Sequence, residues 1–483
     1  MIRTINFRLN ESEYHVKVRE EALALDWIRN EAGLKGTKEG CREGDCGACL
    51  VLLGGSAPRR DGAPDGAVEW RSVTSCTLAM GELDGKHLIT IEGLASAGLT
   101  PVMEAMLDEG ASQCGFCSPG FVLALTGFLV SGARVDPVEA MLAVEGNLCR
   151  CTGYGSIRRA AAKLAADFAD LPASLAERLT VLAGRRVLPA GLAALMAEPP
   201  VAAISTDADS AGEAVVIGGG TDYFVRNPDP QPGLAPSFTY RGPEARSITR
   251  LERDGKRYVR LGPAVNATDF FGSAIVREAA PGIERHELDV ASPPIRNRAT
   301  LAGNVVNASP IADMTAMLMA LGAELVLAGP KGERRIALER FFLGYKKVDL
   351  AAGESVAAIE FEAGWSRFAF EKASKRERLD IATVNCAVAV RMSADGSIAD
   401  ARYSAGGVAA TPLRLTVAEA AMRGKRPSAA LARELGAIAA GAGSPMSDVR
   451  GSSTYRVRLL ERLAWAASCR LWPELKLEEE LLA

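Results

Sequence analysis

The sequence predicts a multidomain α+β protein, on three observations. Its 483 residues exceed what one hydrophobic core holds, so roughly two to four domains are expected. Strand-like alternation in the first 90 residues gives way to helical apolar stripes over 100–170. Beyond about residue 195, strands and helices mix. Apolar residues make up 48% and charged residues 24%, the balance of a globular chain. A net charge of −3 argues against nucleic acid as the main partner. No apolar run is long enough to span a bilayer. The opening MIRTINFRLNESEYHVKV alternates like a strand and lacks the apolar core of a signal peptide, which predicts a cytoplasmic chain.

Taken in order, NFRLN and YHVKV read as a hairpin, and ALALDWIRNEAGL as an amphipathic helix ending near Gly33. GGSAPRRDGAPDG is a flexible loop and HLITIEGL a strand. VMEAMLDEG, GFVLALTGFLV, PVEAMLAV and SIRRAAAKLAADFAD carry helical stripes of period 3.6. Residues 171–194 read as a linker. AVVIGGGTDYF, KRYVRLG and AELVLAG place strands in a segment over 195–364, and IATVNCAVAVRM and DARYSAGGV place strands in a final α+β segment over 365–483. The first two domains are expected at 1–90 and 91–170.

Eight of the ten cysteines fall before residue 152. In a reducing compartment such clusters read as metal or redox centres rather than disulfides. Cys41, Cys46 and Cys49 have the spacing C-x4-C-x2-C, with Cys76 beyond a polar loop. This is the plant-type spacing for a 2Fe-2S cluster. Gly44 and Gly47 let the loop curl and bring N–H groups to the sulfurs. A structural zinc site is the alternative, although zinc motifs usually pair short Cys-x-x-Cys knuckles. Cys114-Gly-Phe-Cys117 and Cys149-Arg-Cys151 form a second set, each pair just before a helix. Helix N-termini favour anionic thiolates. Zinc, or a redox dithiol at Cys114 and Cys117, is the alternative there. Cys386 and Cys469 read as small buried hydrophobes, and His15, His87 and His286, with no shared spacing, as structural residues.

GTKEGCREGDCGAC, QCGFCSPGF and GNLCRCTGYGSI resemble the iron–sulfur part of the xanthine oxidase family of molybdenum hydroxylases. The resemblance covers about the first 160 residues. It implies a β-grasp ferredoxin domain followed by a helical-bundle domain, each with one 2Fe-2S cluster. It also implies that Gln113 points toward the pterin of a molybdenum cofactor; from the residues alone, Gln113 reads equally as a solvated loop residue.

In VVIGGGTDYF, Gly218, Gly219 and Gly220 follow an apolar strand, and such a turn exposes N–H groups that can cradle a pyrophosphate. Many such turns bind nothing, and the pattern is not the G-x-G-x-x-G of a Rossmann fold. A second loop, IRNRATLAGNVVNASPIAD, has small residues from Thr300 to Asn307, with Thr300 and Asn304 as donors. Together the loops resemble the flavin domain (PCMH-type, α+β) of the same family. The resemblance implies FAD contacts from Val216, Ile217, Gly218, Gly219, Gly220, Thr221, Asp222, Thr300, Gly303, Asn304, Asn307 and Asp313. Ala302 stands where the family often has glycine, and its methyl is expected to crowd the diphosphate. FFLGYKKVDLAAGE and FAFEKASKRERLDIATVN extend the resemblance. They imply Tyr345 on the NAD side of the flavin, and Lys372 and Asp380 near the isoalloxazine edge. Read without it, Tyr345 is a half-buried aromatic and Lys372 a surface charge.

Two one-electron clusters with a flavin, which handles one or two electrons, form a conduit between a substrate-oxidising centre and an acceptor. No residue set outside the clusters is arranged to oxidise an organic substrate. The resemblance therefore implies a large partner subunit holding the molybdenum cofactor, NAD⁺ as acceptor, and an assembly of two small and two large subunits. It implies xanthine as substrate, with an aldehyde or another N-heterocycle as alternatives. A stand-alone NADH-dependent reductase and a zinc-stabilised scaffold are readings of other classes.

Overall fold

The computed structural model of the chain describes residues 2–58, 67–131, 134–204, 215–230, 236–239 and 244–481. Strands β1 (Ile2–Leu9) and β2 (Ser12–Arg19) form the expected hairpin, paired from Ile2↔Arg19 to Leu9↔Ser12. Asn10, at φ 54°, makes the turn in the left-handed region that Asn tolerates. Strands β3 (Leu50–Ser56), β4 (Val68–Thr74) and β5 (His87–Ile89) complete a mixed sheet of order β2-β1-β5-β3-β4, with β1 and β5 parallel. The helix Ala24–Asn30 covers one face, packing Ala24 and Ile28 with Ile5, Phe7, Val51 and Leu88. The pleat sends Leu50 and Leu52 to the other face, among the helices that follow. The loop expected at GGSAPRRDGAPDG begins later, because Gly54–Ser56 continue β3; its central residues 59–66 lie outside the described residues. HLITIEGL is a strand only to Ile89, after which Ile91–Leu94 turns helical.

The helices Pro101–Asp108, Ser118–Val130, Pro137–Ala143 and Gly155–Asp167 form where the stripes place them. Ser118–Val130 is not striped: every residue from Gly120 to Val130 is buried. A helix apolar all round belongs inside a core. Gly127 allows it to approach the sheet, since a Cβ there would sit 2.8 Å from Leu52. The expected linker is instead helical, at Leu175–Gly184 and Ala190–Ala197. Leu179, Leu182, Leu192 and Met196 join the same core as the Ser118–Val130 helix, so this segment has an apolar face to bury.

The chain divides into two compact units. The first holds 1–241 and 292–299, and the second 242–291 and 300–483. In the first unit, β6 (Val215–Ile217) pairs in parallel with β7 (Pro236–Phe238), and Ile217, Phe224 and Phe238 pack with Leu23 and Ala79 of the N-terminal fold. The second unit contains a five-stranded antiparallel sheet, ordered 332–337, 324–329, 355–362, 256–261 and 248–253. It also contains a sheet of Arg367–Ala373, Val384–Met392, Ile398–Gly406 and Leu413–Arg414, against which the helix Ser453–Leu471 packs. Among the described residues no helix is long and apolar enough to cross a membrane.

His87 is buried in β5, with Trp70 edge-on at 5.0 Å and its Nε2 donating to the Asn10 carbonyl at 2.7 Å. Burial holds its pKa down at about 4, below the ordinary 6.5, so the fold favours the neutral ring. Its stabilising contribution is complete above pH 6.5 and is lost as pH falls toward 4, a change of about 3 kcal/mol. His87→Gln is expected to flatten the stability–pH curve over that window. Urea unfolding followed by tryptophan fluorescence checks this, and an unchanged slope would contradict it.

Candidate functional site

The loop Cys41–Cys49 is shaped by glycine. Gly44 (φ 79°) and Gly47 (φ 68°) occupy the left-handed region, where a side chain is strained. The loop brings four thiols together as two pairs, Cys41 with Cys46 and Cys49 with Cys76. The hydrogen bond from Cys46, joined by the N–H groups of Glu43, Cys46 and Asp45, pulls the Cys41 thiol down to about 5. Cys46 is pushed up by the same shared proton. Cys49 is pulled down by Cys76, and Cys76 is pushed up by Cys49. The Gly44 N–H faces Cys76, the Ala48 N–H faces Cys46, and the Ser75 hydroxyl faces Cys49. Backbone donors thus surround positions suited to anionic sulfur.

The second set repeats the arrangement. Cys114 and Cys151 place their sulfurs 3.6 Å apart, and Cys117 pairs with Cys149. Cys117 caps the Ser118–Val130 helix, and burial with the Cys149 contact pushes its thiol up to about 12. Burial opposes ionisation of Cys149, but the Thr152 hydroxyl at 3.2 Å and backbone N–H groups bring it down overall. Phe116 N–H and Cys151 lower Cys114. Gly115 and Gly153 have positive φ, as does Tyr154, whose hydroxyl accepts from Cys149 N at 3.0 Å. Cys114 and Cys151 are exposed, and Gln113 is exposed beside them.

Among the described residues no three His, Cys, Asp or Glu side chains gather as ligands to one ion. Two pairs are what a binuclear cluster needs, two thiolates to each iron. The two cysteine loops sit back to back. Leu148 N–H donates to the Cys46 carbonyl at 3.0 Å, and Asn147 Nδ2 to the Gly47 carbonyl at 3.3 Å. A Cβ on Gly120 would fall 2.2 Å from the Gly47 carbonyl oxygen, so only glycine fits.

Of the predicted flavin residues, Val216 to Asp222 lie in the first unit. Gly219 and Gly220 are buried, Val216 is exposed, and Asp222 pairs with Arg226. A Cβ on Gly219 would fall 1.7 Å from the Arg298 carbonyl oxygen. Thr300, Gly303, Asn304, Asn307 and Asp313 lie in the second unit. Thr300 caps the helix Leu301–Val306, accepting from Gly303 N at 3.0 Å. The Asn304 amide oxygen accepts from Thr315 N and Oγ1, leaving its NH₂ end to donate elsewhere. Lys346 Nζ donates to the Asn307 carbonyl and side-chain oxygens at 2.7 and 2.9 Å. Ala302 is buried in the apolar core.

Lys372 is no surface charge. Its side chain is 5% exposed, and it donates to Asp313 Oδ2 at 3.0 Å, to the Asp380 carbonyl at 3.1 Å and to the Asp289 carbonyl. These three acceptors match the three protons of an ammonium. The other oxygen of Asp313 accepts from Asn385 Nδ2 at 2.7 Å, while burial pushes that carboxyl up. Asp380 accepts from Arg376 N and Ile381 N within its own loop. Tyr345 is 65% exposed, not half-buried, in the turn between Phe342–Gly344 and Lys347–Val348. A cavity of about 1050 Å³ in the second unit, lined by Arg285, Trp465, Cys469 and Arg470, contains none of the residues predicted for the flavin or NAD⁺, and Cys469 there is only partly buried rather than a core residue as expected. Sequence reasoning missed Arg298, Glu82 and Asn147; the only signal was the basic run IRNR beside the small-residue loop.

Four family descriptions match along the chain. They are a 2Fe-2S iron-sulfur cluster binding domain at 7–80, a 2Fe-2S binding domain at 90–162, an FAD binding domain in molybdopterin dehydrogenase at 206–361, and a CO dehydrogenase flavoprotein C-terminal domain at 369–468. Xanthine dehydrogenase of Emericella nidulans is 28% identical, covering 94% of this chain and 38% of that one. Nicotinate dehydrogenase small FeS subunit of Eubacterium barkeri is 36% identical, covering 32% of this chain and 91% of that one. A solved carbon monoxide dehydrogenase from Hydrogenophaga pseudoflava is 29% identical at TM-score 0.49, covering 55% of this chain and 91% of that one. The chain spans little more than a third of the length of the xanthine dehydrogenase it matches. It belongs to the xanthine oxidase family of molybdenum hydroxylases, and it carries two 2Fe-2S domains, an FAD-binding domain and a flavoprotein C-terminal domain.

Proposed function

We propose that the chain is the electron-transfer subunit of a xanthine dehydrogenase, working with a large partner that holds the molybdenum cofactor. The overall reaction is xanthine + H₂O + NAD⁺ giving urate + NADH + H⁺. The observation that carries this reading is the pairing of thiols in two loops joined directly by the Leu148–Cys46 hydrogen bond. When bound, the clusters pass electrons singly, and the flavin gathers two and returns them as a hydride.

The chain's own residues hold, orient and tune. Cys41, Cys46, Cys49 and Cys76 hold the first cluster, with Glu43, Asp45 and Gly44 N–H groups turned toward their sulfurs. Cys114, Cys117, Cys149 and Cys151 hold the second, on the exposed side where Gln113 meets the partner. Gly218–Asp222 and Thr300–Asn307 cradle FAD, Asp313 and Lys372 brace the loop that bears Asp380, and Tyr345 lies toward NAD⁺. We assign the domains to 1–90, 91–170, 195–364 and 365–483, and the assembly to two small and two large subunits. All ten cysteines are free, which suits the cytoplasm. Xanthine as substrate is supported by the relatives that span most of this chain. A nicotinate-type N-heterocycle is the second reading, favoured by the 36% identity over the iron–sulfur domains.

Isolation of the native complex tests the assignment. It is expected to yield about four irons and one FAD per chain, a molybdenum-bearing partner and xanthine-dependent NAD⁺ reduction. Zinc without iron would overturn the redox reading, and iron and FAD with no molybdenum partner would favour a reductase. Cys41→Ser is expected to remove the first cluster's paramagnetic resonance and leave the second's. Gly219→Val forces the Arg298 backbone aside and is expected to strip FAD with both cluster signals retained. Full flavin occupancy in that variant would remove the loop from the cofactor site.

A further inference from the structure

Arg298 lies within the first unit, where three segments meet. It is 7% exposed. Its Nη2, with two protons, lies within hydrogen-bond distance of the Thr77 carbonyl at 3.1 Å, the Gly219 carbonyl at 2.6 Å and Glu82 Oε1 at 2.9 Å, so one proton is shared between two acceptors. Its Nη1 lies 2.8 Å from Glu82 Oε2. The two-point contact with the carboxylate fixes the guanidinium plane. Glu82 is itself buried and accepts from Ala79 N at 3.2 Å, so the carboxylate is anchored from the other side. Thr77 follows Cys76, and Gly219 is the middle residue of the glycine loop.

The backbones agree with the side chain. A Cβ on Gly220 would fall 3.1 Å from the Thr77 carbonyl oxygen, and one on Gly44 2.7 Å from Ile295 Cδ1. Asn297 Nδ2 donates to the Ser72 carbonyl at 3.0 Å, tying the same segment to β4. The segment 292–299 is therefore built into the fold that carries the first cysteine set. Glu82 balances the guanidinium charge, so the effect of Arg298 is chiefly one of geometry.

We propose that Arg298 is the positioning residue that locks the Gly219 loop to the Cys76–Thr77 segment. It thereby fixes the separation across which one electron leaves the first cluster and the same electron enters the flavin. This rests on the reading that Cys76 holds that cluster and the Gly219 loop holds FAD. Removing Arg298 alone leaves Glu82 as an uncompensated charge near Cys76 and lowers the cluster's midpoint potential. Removing Glu82 alone raises it. Removing both restores charge balance and leaves only the lost lock.

The test uses the full chain carrying both clusters and FAD. A light-driven deazaflavin pulse injects single electrons, transfer to the flavin is followed optically, and each cluster's midpoint is read by paramagnetic resonance titration. Arg298→Met combined with Glu82→Gln is expected to slow transfer several-fold while leaving the second cluster's midpoint unchanged, because electron tunnelling falls off steeply with the separation of the two centres. Arg298→Met and Glu82→Gln alone are expected to shift the first cluster's midpoint in opposite directions. Loss of FAD from the double variant with both cluster signals intact also supports the lock. Wild-type transfer rates in the double variant overturn it. If the double variant does not fold, Arg298→Lys decides: it keeps the charge but loses the fork, so slowed transfer at an unshifted midpoint supports the lock and an unchanged rate overturns it. A wild-type chain without cluster signals or without flavin would instead sink the reading of the function.

Discussion

The hydrogen bond from Leu148 N–H to the Cys46 carbonyl, at 3.0 Å, joins the loops on which the rest depends. Each loop is useless without a fixed backbone, because four sulfurs must arrive in two pairs. The Cys46 carbonyl can face Leu148 only if Gly47 turns left-handed behind it. Gly47 in turn leaves room for Gly120, Gly146 and Asn147, which close the gap between the ferredoxin fold and the helices. One backbone contact thus links the peptide of a first-set cysteine to the residue preceding a second-set cysteine. The donors that crowd the sulfurs stabilise negative charge on them, which favours the thiolate form that binds metal.

Much of this was legible in the residues. Cysteine spacing and its glycines describe a local loop, and local constraints are what a sequence displays most directly. Helices with a polar and an apolar face were equally plain. The failures share a cause in tertiary context. HLITIEGL reads as one strand, yet β5 has partners only as far as Ile89 before the chain turns into a helix. The 171–194 stretch reads as a linker, but Leu179, Leu182 and Leu192 find an apolar core only when the domains are assembled. Lys372 reads as a surface charge for the same reason. What surrounds an ammonium depends on residues remote in sequence. Arg298 was invisible because two of its acceptors are backbone carbonyls, at Thr77 and Gly219, which have no sequence signature, and the third, the Glu82 carboxylate, is remote in sequence.

Lys372 and Asp313 show how the second unit handles buried charge. An isolated ammonium or carboxylate in such a place would be costly. The pair is instead saturated: Asp289 and Asp380 carbonyls take the remaining ammonium protons, and Asn385 takes the other carboxylate oxygen. His286 extends the network, donating from Nδ1 to Asp289 Oδ2 at 3.0 Å and accepting from Phe370 N at 3.2 Å. Such a network fixes loop positions through directional bonds, where apolar packing alone would tolerate sliding.

The helix Ser118–Val130, buried on every side, bears on how this architecture can be divided. One of its flanks rests on β3 and β4, so the N-terminal sheet supplies part of its shelter. Severing the chain near residue 90 would leave Leu50 and Leu52 facing water on one fragment and an all-apolar helix on the other. Both surfaces would seek substitutes in other chains, and aggregation would follow. The two cysteine-bearing modules therefore behave as a single inheritable block. Recombination or engineering that exchanges one without its neighbour must also supply a new lid for that helix.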